Sequence, residues 1–157
     1  MHALYACDGG WWDEYYDDVK ANYHGPLWTQ DEPASKQYGL NYIPSKPGIG
    51  LDTKTIVQGS NSGYQCINLA WLWGAKTVLL LGYDMQHTGG KTHWHGNHRG
   101  RLGNFPAPAG IIKQFEKMEP EKYGLHVINC SRVTALHCFE KMLLEKAIEQ
   151  FGIKKTM

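Results

Sequence analysis

The chain has 157 residues, a formal net charge of +1, 42% hydrophobic and 20% charged residues. That length and composition suit one globular domain with a sizeable core and exclude a fibrous or disordered chain. The near-zero charge offers no footprint for nucleic acid or for an anionic membrane, and the sequence holds no 18-residue apolar run and no signal peptide, so a cytoplasmic protein is expected.

The opening run HALYAC is apolar and breaks at Asp8-Gly9-Gly10, as a strand does on meeting a loop. Trp11, Trp12, Tyr15, Tyr16 and Val19 share a helical face, which predicts a helix over 11–20 with Asp8 near its N-cap. Residues 26–29 predict a second strand and 40–43 a third, with a brief helix between them that starts at Asp31-Glu32-Pro33. Residues 44–53 carry two prolines and two glycines and predict an irregular surface loop, after which 55–58 extends briefly. A helix follows over 62–73, stopped by Gly74. Residues 77–81 are apolar on both alternating faces, the pattern of a central parallel strand. Pro106-Ala107-Pro108 starts a helix to Met118, 126–129 is another strand, and from Thr134 the pattern is helical to Phe151. This alternation predicts a single α/β domain over 1–157, built on a three-layer, mostly parallel, doubly wound (Rossmann-like) sheet.

Ligands of such sheets bind beyond the carboxyl ends of the strands. Asp84, in Gly82-Tyr83-Asp84, stands there, able to bind a ribose hydroxyl, orient a histidine, ligate a metal or close the local turn. The loop beyond it holds His87, His93, His95 and His98. His-x-His-x-x-His could hold a divalent metal, with Asp84 adding an oxygen, but the spacing matches no standard structural zinc pattern. A general base or acid at His93, His95 or His98 is better motivated, because imidazole titrates near neutral pH; surface histidines on a solvated loop are the plain alternative. Asn61-Ser62-Gly63-Tyr64 opens the helix over 62–73, where free amides and the helix dipole favour a phosphate or carboxylate, unless Asn61 or Ser62 merely caps and Gly63 allows close packing. Asp8 could bond a base or ribose, or cap its helix. Arg99 and Arg101 could neutralise phosphate, and Ser131 follows the late strand at its carboxyl end. Cys7, Cys66, Cys130 and Cys138 lack CxxC spacing and read as reduced thiols. No Walker loop, GxSxG elbow or HExxH is present.

Ser62-Gly63, Gly74-Ala75-Lys76 and Gly82-Tyr83-Asp84, together with ALYACDGGWWDEYYDDV and YGLHVINCSRVTALHCF, resemble the sialyltransferase-like superfamily. That superfamily takes in bacterial sialyltransferases and DUF115-type proteins, among them archaeal pterin pyrophosphokinases. The NSGYQ and THWHG stretches are similar to proteins of tailed phages and prophages, and the resemblance covers roughly residues 3–139. It implies a nucleotide or nucleotide-sugar partner, glycosyl or nucleotidyl transfer with a loop histidine as base, and a phage-encoded protein of the bacterial cytoplasm. It also implies nucleotide contacts along 61–64, a place for Asp8 where transferases keep a nucleotide-contacting Asn, and Gln86 with Thr92 or His93 where they keep phosphate-holding tyrosines. The family's N-terminal Gly-rich strand and loop have no counterpart here, so the domain is expected to lack them. Two expectations follow: a non-catalytic ligand-sequestering or structural phage protein as the alternative function, and a homodimer through an exposed sheet edge.

Overall fold

The structure, a computed structural model, describes residues 2–59, 61–87, 89–90, 98, 100, 102–103 and 108–152. Within them the chain is a mixed α/β protein with five α-helices and three small sheets, every strand pair parallel. No helix among the described residues is long and apolar enough to cross a membrane.

The first sheet is β1 (Leu4–Tyr5), β2 (Leu27–Thr29) and β3 (Asn41–Tyr42), in that order. Helix α1 (Gly9–Asn22) and helix α2 (Glu32–Tyr38) make the two crossovers. Both helices hang on Asp31. Its Oδ1 accepts from the Ala34 amide and caps α2, while its Oδ2 accepts from the Gly9 amide, 3.1 Å away, at the start of α1. The Asp8 side chain makes no cap bond. Trp12 is fully buried with Ala6, Ala34 and Leu40, and its indole N–H donates to the Ala6 carbonyl.

The second sheet pairs β4 (Ser45–Lys46) with β5 (Ile56–Val57). The loop expected over 44–53 therefore contains a strand, because Lys46 and Asp52 pair across the turn and Asp52 Oδ1 collects the Lys54 and Thr55 amides. Helix α3 (Ser62–Leu72) follows.

The third sheet runs β6 (Thr77–Leu80), β7 (His126–Asn129), β8 (Glu140–Lys141). Helix α4 (Ala109–Glu116) and a 3₁₀ turn (Pro120–Tyr123) join β6 to β7. Two expectations are corrected here. The middle strand of this sheet is β7, not β6, although both faces of β6 are covered as expected, Leu80 in one core and Leu79 against another, and Leu81 just past it is 58% exposed. The chain from Thr134 is not one helix, since it loops, adds β8, and turns helical only at α5 (Leu144–Phe151). The loop is held by polar bonds that a helix would break. Thr134 Oγ1 donates to the Tyr83 carbonyl and accepts from the Leu136 amide, while the Ala135 amide donates to the Asp84 carbonyl.

The main core gathers Val57, Tyr64, Ile67, Leu80, Phe115, Met118, Val127, Leu136 and Phe139. It thus joins α3, β5, α4 and the third sheet around one apolar centre.

Candidate functional site

A cleft of about 500 Å³ opens where the carboxyl ends of β1, β2 and β5 meet the start of α3. Cys7 and Asp8 enter from β1, Gln30 from β2, Gln58 from β5, and Asn61, Ser62 and Gln65 from α3. His98, Gly103 and Ile111 close the other side. Of the residues expected at a site, the fold brings Asp8, Asn61, Ser62 and His98 together here. Because Asp31 holds the start of α1, the Asp8 carboxylate is left to the cleft rather than used as a cap.

The floor is a fixed polar lattice. Tyr5 Oη donates to Gln65 Oε1 at 2.8 Å, Gln65 Nε2 donates to the Gln58 carbonyl at 3.1 Å, and Gln58 Nε2 donates to Ser45 Oγ at 3.0 Å. These bonds tie β1, α3, β5 and β4 into one frame and fix which way each amide points. Ser62 Oγ meets Cys7 Sγ at 2.8 Å. Burial pushes the Cys7 thiol up to about 12 against a weaker opposing pull from the Ser62 bond, with Asp8 adding to the rise. Cys7 is therefore a protonated thiol at neutral pH and not a nucleophile. Burial likewise lifts Cys66, one helical turn beyond Ser62, to about 11.

Asn61 is the α3 N-cap, its Oδ1 accepting from the Tyr64 amide at 3.1 Å. The amides of the first turn, with the helix dipole behind them, point toward the cleft end of α3. Charge there is sparse: Asp8 is the one carboxylate among the described lining residues, and none of them is a lysine or arginine.

Other expected residues go elsewhere. Tyr64 is 0% exposed, its ring in the main core and its hydroxyl bonded to both the amide and the carbonyl of Gly50, so it supports the site from beneath and contacts no ligand. Gly63 is closely packed: a Cβ there would lie 2.8 Å from Asn61 Oδ1 and from the Tyr83 ring. Asp84 and Ser131 line a different cavity of about 750 Å³, beyond the carboxyl ends of β6, β7 and β8, with Leu81, Arg132, Val133, Lys141 and Leu143. Ser131 Oγ is occupied there by the Tyr83 amide at 2.8 Å. Gln86 is partly exposed and lines neither cavity, and His87 is exposed. His93, His95, Arg99 and Arg101 lie outside the described residues, as does the zinc spacing they belong to. Among the described residues no three His, Cys, Asp or Glu side chains gather as a metal set.

Sequence reasoning missed Tyr5, Cys7, Gln30, Gln58, Gln65 and Tyr83. A signal was present for the first two and for Gln65: Tyr5 and Cys7 alternate on one face of a strand, and Ser62 and Gln65 share one face of a helix. Nothing local marks Tyr83, which ties the start of α3 to the loop after β7. Its hydroxyl donates to the Gly63 carbonyl at 3.0 Å and its amide reaches Ser131, and burial above all holds its phenol far above the usual range.

Comparison with protein-family models, with characterised proteins and with solved structures returns no match for this chain.

Proposed function

We propose that the cleft binds a nucleotide or nucleotide-activated substrate, its nucleoside part in the amide-lined space and its phosphate against the start of α3. One observation carries the reading: Asp8, Gln30, Ser62 and His98, distant in sequence, converge on one polar cleft at strand carboxyl ends. The planar amides of Gln30, Gln58 and Asn61 suit a base edge, Asp8 suits a ribose hydroxyl pair, and the α3 amides suit an oxyanion without needing a basic side chain. The motif resemblance to sialyltransferase-like proteins points the same way. We read the three short sheets as segments of one doubly wound, Rossmann-like sheet, supported by Val57 of β5 and Leu80 of β6 packing in a single core.

For chemistry, we propose group transfer with His98 as the base. The imidazole takes the proton of an acceptor hydroxyl as the acceptor oxygen bonds to the transferred group. The bond from that group to the nucleotide phosphate breaks, and the nucleotide leaves with the electron pair. A second reading, binding without turnover, is favoured by one feature. Asp84, expected to orient a loop histidine, lines the other cavity, while His98 lines this one.

A thermal-shift panel of nucleosides, nucleotides and nucleotide sugars tests the binding. At about a hundredfold excess over Kd a true ligand raises Tm by about 5–10 °C. Ser62→Trp, which fills the cleft mouth, abolishes the shift while the unliganded Tm stays near wild type. No response across the panel removes the nucleotide reading. Turnover of a responding nucleotide sugar separates the two readings: His98→Ala, beside His93→Ala and His95→Ala, stops transfer if the base is in this loop, and unchanged rates in all three leave only binding.

A further inference from the structure

Two bonds bridge the end of β1 to the start of α3. Tyr5 and Cys7 stand on one face of the strand, Ser62 and Gln65 on one face of the helix, and they meet in pairs. Tyr5 Oη donates to Gln65 Oε1 at 2.8 Å, and Cys7 Sγ lies 2.8 Å from Ser62 Oγ. The first bridge is structural, since Gln65 is 3% exposed and is tied on to the Gln58 carbonyl. The second is open on one side: Cys7 is buried, Ser62 is exposed, and both line the cleft. Ser62 has no capping duty, because Asn61 is the N-cap and its Oδ1 already takes the Tyr64 amide. An exposed serine without such a duty turns among three staggered positions. Here the neighbouring thiol, held by the frame that Tyr5 and Gln65 brace, restricts it to one. Cys7 keeps its proton at neutral pH, burial above all pushing the thiol up to about 12, so the contact joins two neutral groups. A hydroxyl offers one proton and two lone pairs; with the thiol proton on a lone pair, the Ser62 proton is left for the cleft.

We propose that Cys7 is a positioning residue: its thiol donates to Ser62 Oγ and so aims the Ser62 hydroxyl at a phosphate oxygen of the bound nucleotide. This inference rests on the nucleotide reading above. It gives the phosphate a side-chain donor at the start of α3 whose direction is set before the ligand arrives, so less freedom is lost on binding. Cys7 itself touches no ligand atom and acts only through Ser62.

Two pairs test it by calorimetry: uridine against uridine monophosphate, and adenosine against adenosine monophosphate. Wild type prefers the monophosphate of a pair. Cys7→Ala narrows that preference about threefold, the scale of leaving one side chain unordered, and leaves nucleoside affinity unchanged. Ser62→Ala narrows it at least as much, and adding Cys7→Ala to Ser62→Ala narrows it no further. Cys7→Ser, which keeps a donor in place, restores most of the preference. A second measurement needs no change in the wall: the S–H stretching band of Cys7, assigned by its loss in Cys7→Ser, shifts when the monophosphate binds wild type and stays put in Ser62→Ala. Three results each overturn the inference while leaving the nucleotide reading intact. They are an unmoved band in wild type, equal weakening of nucleoside and monophosphate by Cys7→Ala, and an undiminished effect of Cys7→Ala in the Ser62→Ala background. Silence of all four ligands with wild type removes the nucleotide reading first and this inference with it.

Discussion

Two cavities sit at the carboxyl ends of parallel strands in this molecule, and they are built on opposite terms. The cleft by α3 is walled by amides, a hydroxyl, a thiol and one carboxylate, most of them fixed by mutual hydrogen bonds. The larger cavity by β6–β8 has an apolar rim, with Leu81, Val133 and Leu143 exposed by 58%, 53% and 66%, and its charges of both signs stand in open water. A matched polar lattice can discriminate among ligands by hydrogen-bond sense; an open apolar rim can only reward shape and area. Asp84 and His98, neighbours in one loop of sequence, fall on different sides of this division. Asp8 and His98, from opposite ends of the first hundred residues, line one cleft. Closeness along the chain was therefore a poor guide to shared chemistry.

The largest effects come from the residue beneath the cleft. Tyr64→Ala removes a fully buried ring from the main core and is expected to cost about 3–5 kcal/mol, read by urea denaturation. Tyr64→Phe keeps the ring and loses only the bonds to Gly50, for about 1–2 kcal/mol, with nucleotide affinity unchanged. A lost affinity in Tyr64→Phe at wild-type-like fold would return Tyr64 to the ligand and blur the line between support and site. Next in size is a crossed pair. Asp31→Ala frees the starts of two helices and costs about 1–3 kcal/mol, with weaker binding only through loss of order. Asp8→Ala, which removes no cap, shifts stability by less than about 0.5 kcal/mol yet abolishes the nucleotide-induced Tm shift. The reverse pattern would make Asp8 structural and take away the cleft's one carboxylate among the described residues.

Much of the fold was legible because its signals are local. Asp31-Glu32-Pro33 with Gly39 marks both ends of α2, and Asn61 with Gly74 marks those of α3. Apolar runs marked β2, β6 and β7. The failures lie where tertiary bonds overrule pattern. Residues 134–143 look helical, but Thr134 and Ala135 are claimed by the carbonyls of Tyr83 and Asp84, and Leu136 and Phe139 are drawn into the core. The site was legible in its polar turn residues, Asp8, Asn61 and Ser62. Gln30 and Gln58 were not, since neither carries a local signature, and Gln65, though on the Ser62 face of α3, shows its role only when Tyr5, 60 residues away, comes within reach.

Tyr83 bonds to the first turn of α3 on one side and to Ser131 of the larger cavity on the other, and its phenol offers a milder probe of their separation. Tyr83→Phe deletes the bond to the Gly63 carbonyl and is expected to cost about 1 kcal/mol, with the Ser131 contact kept because it uses the backbone amide. If the cleft depends on α3 being held in place, the same change weakens nucleotide binding by a few-fold; unchanged binding would mean the cavities are mechanically independent.

At neutral pH the smallest effect is that of the Cys7 thiol in the cleft wall, which shows itself only as pH rises. The ordinary thiol value is 9.0, and burial holds Cys7 at about 12 in the folded chain. In the unfolded chain the thiol loses its proton as pH passes 9, while the folded chain keeps it, so the unfolded state binds fewer protons and is favoured as pH rises. The stability that protonated Cys7 contributes is thus fully present below about pH 9 and lost progressively from there to about 12. The slope can reach about 1.4 kcal/mol per pH unit and is near zero between pH 6 and 8. Because buried tyrosines and Cys66 titrate in the same sense, the measurement is the difference in urea midpoint between wild type and Cys7→Ala across pH 7 to 10.5. That difference should be flat to about pH 9 and then shrink. A difference that changes between pH 6 and 8 would mean Cys7 is ionising near neutrality, and the contact with Ser62 would then be a reactive pair rather than part of an inert wall.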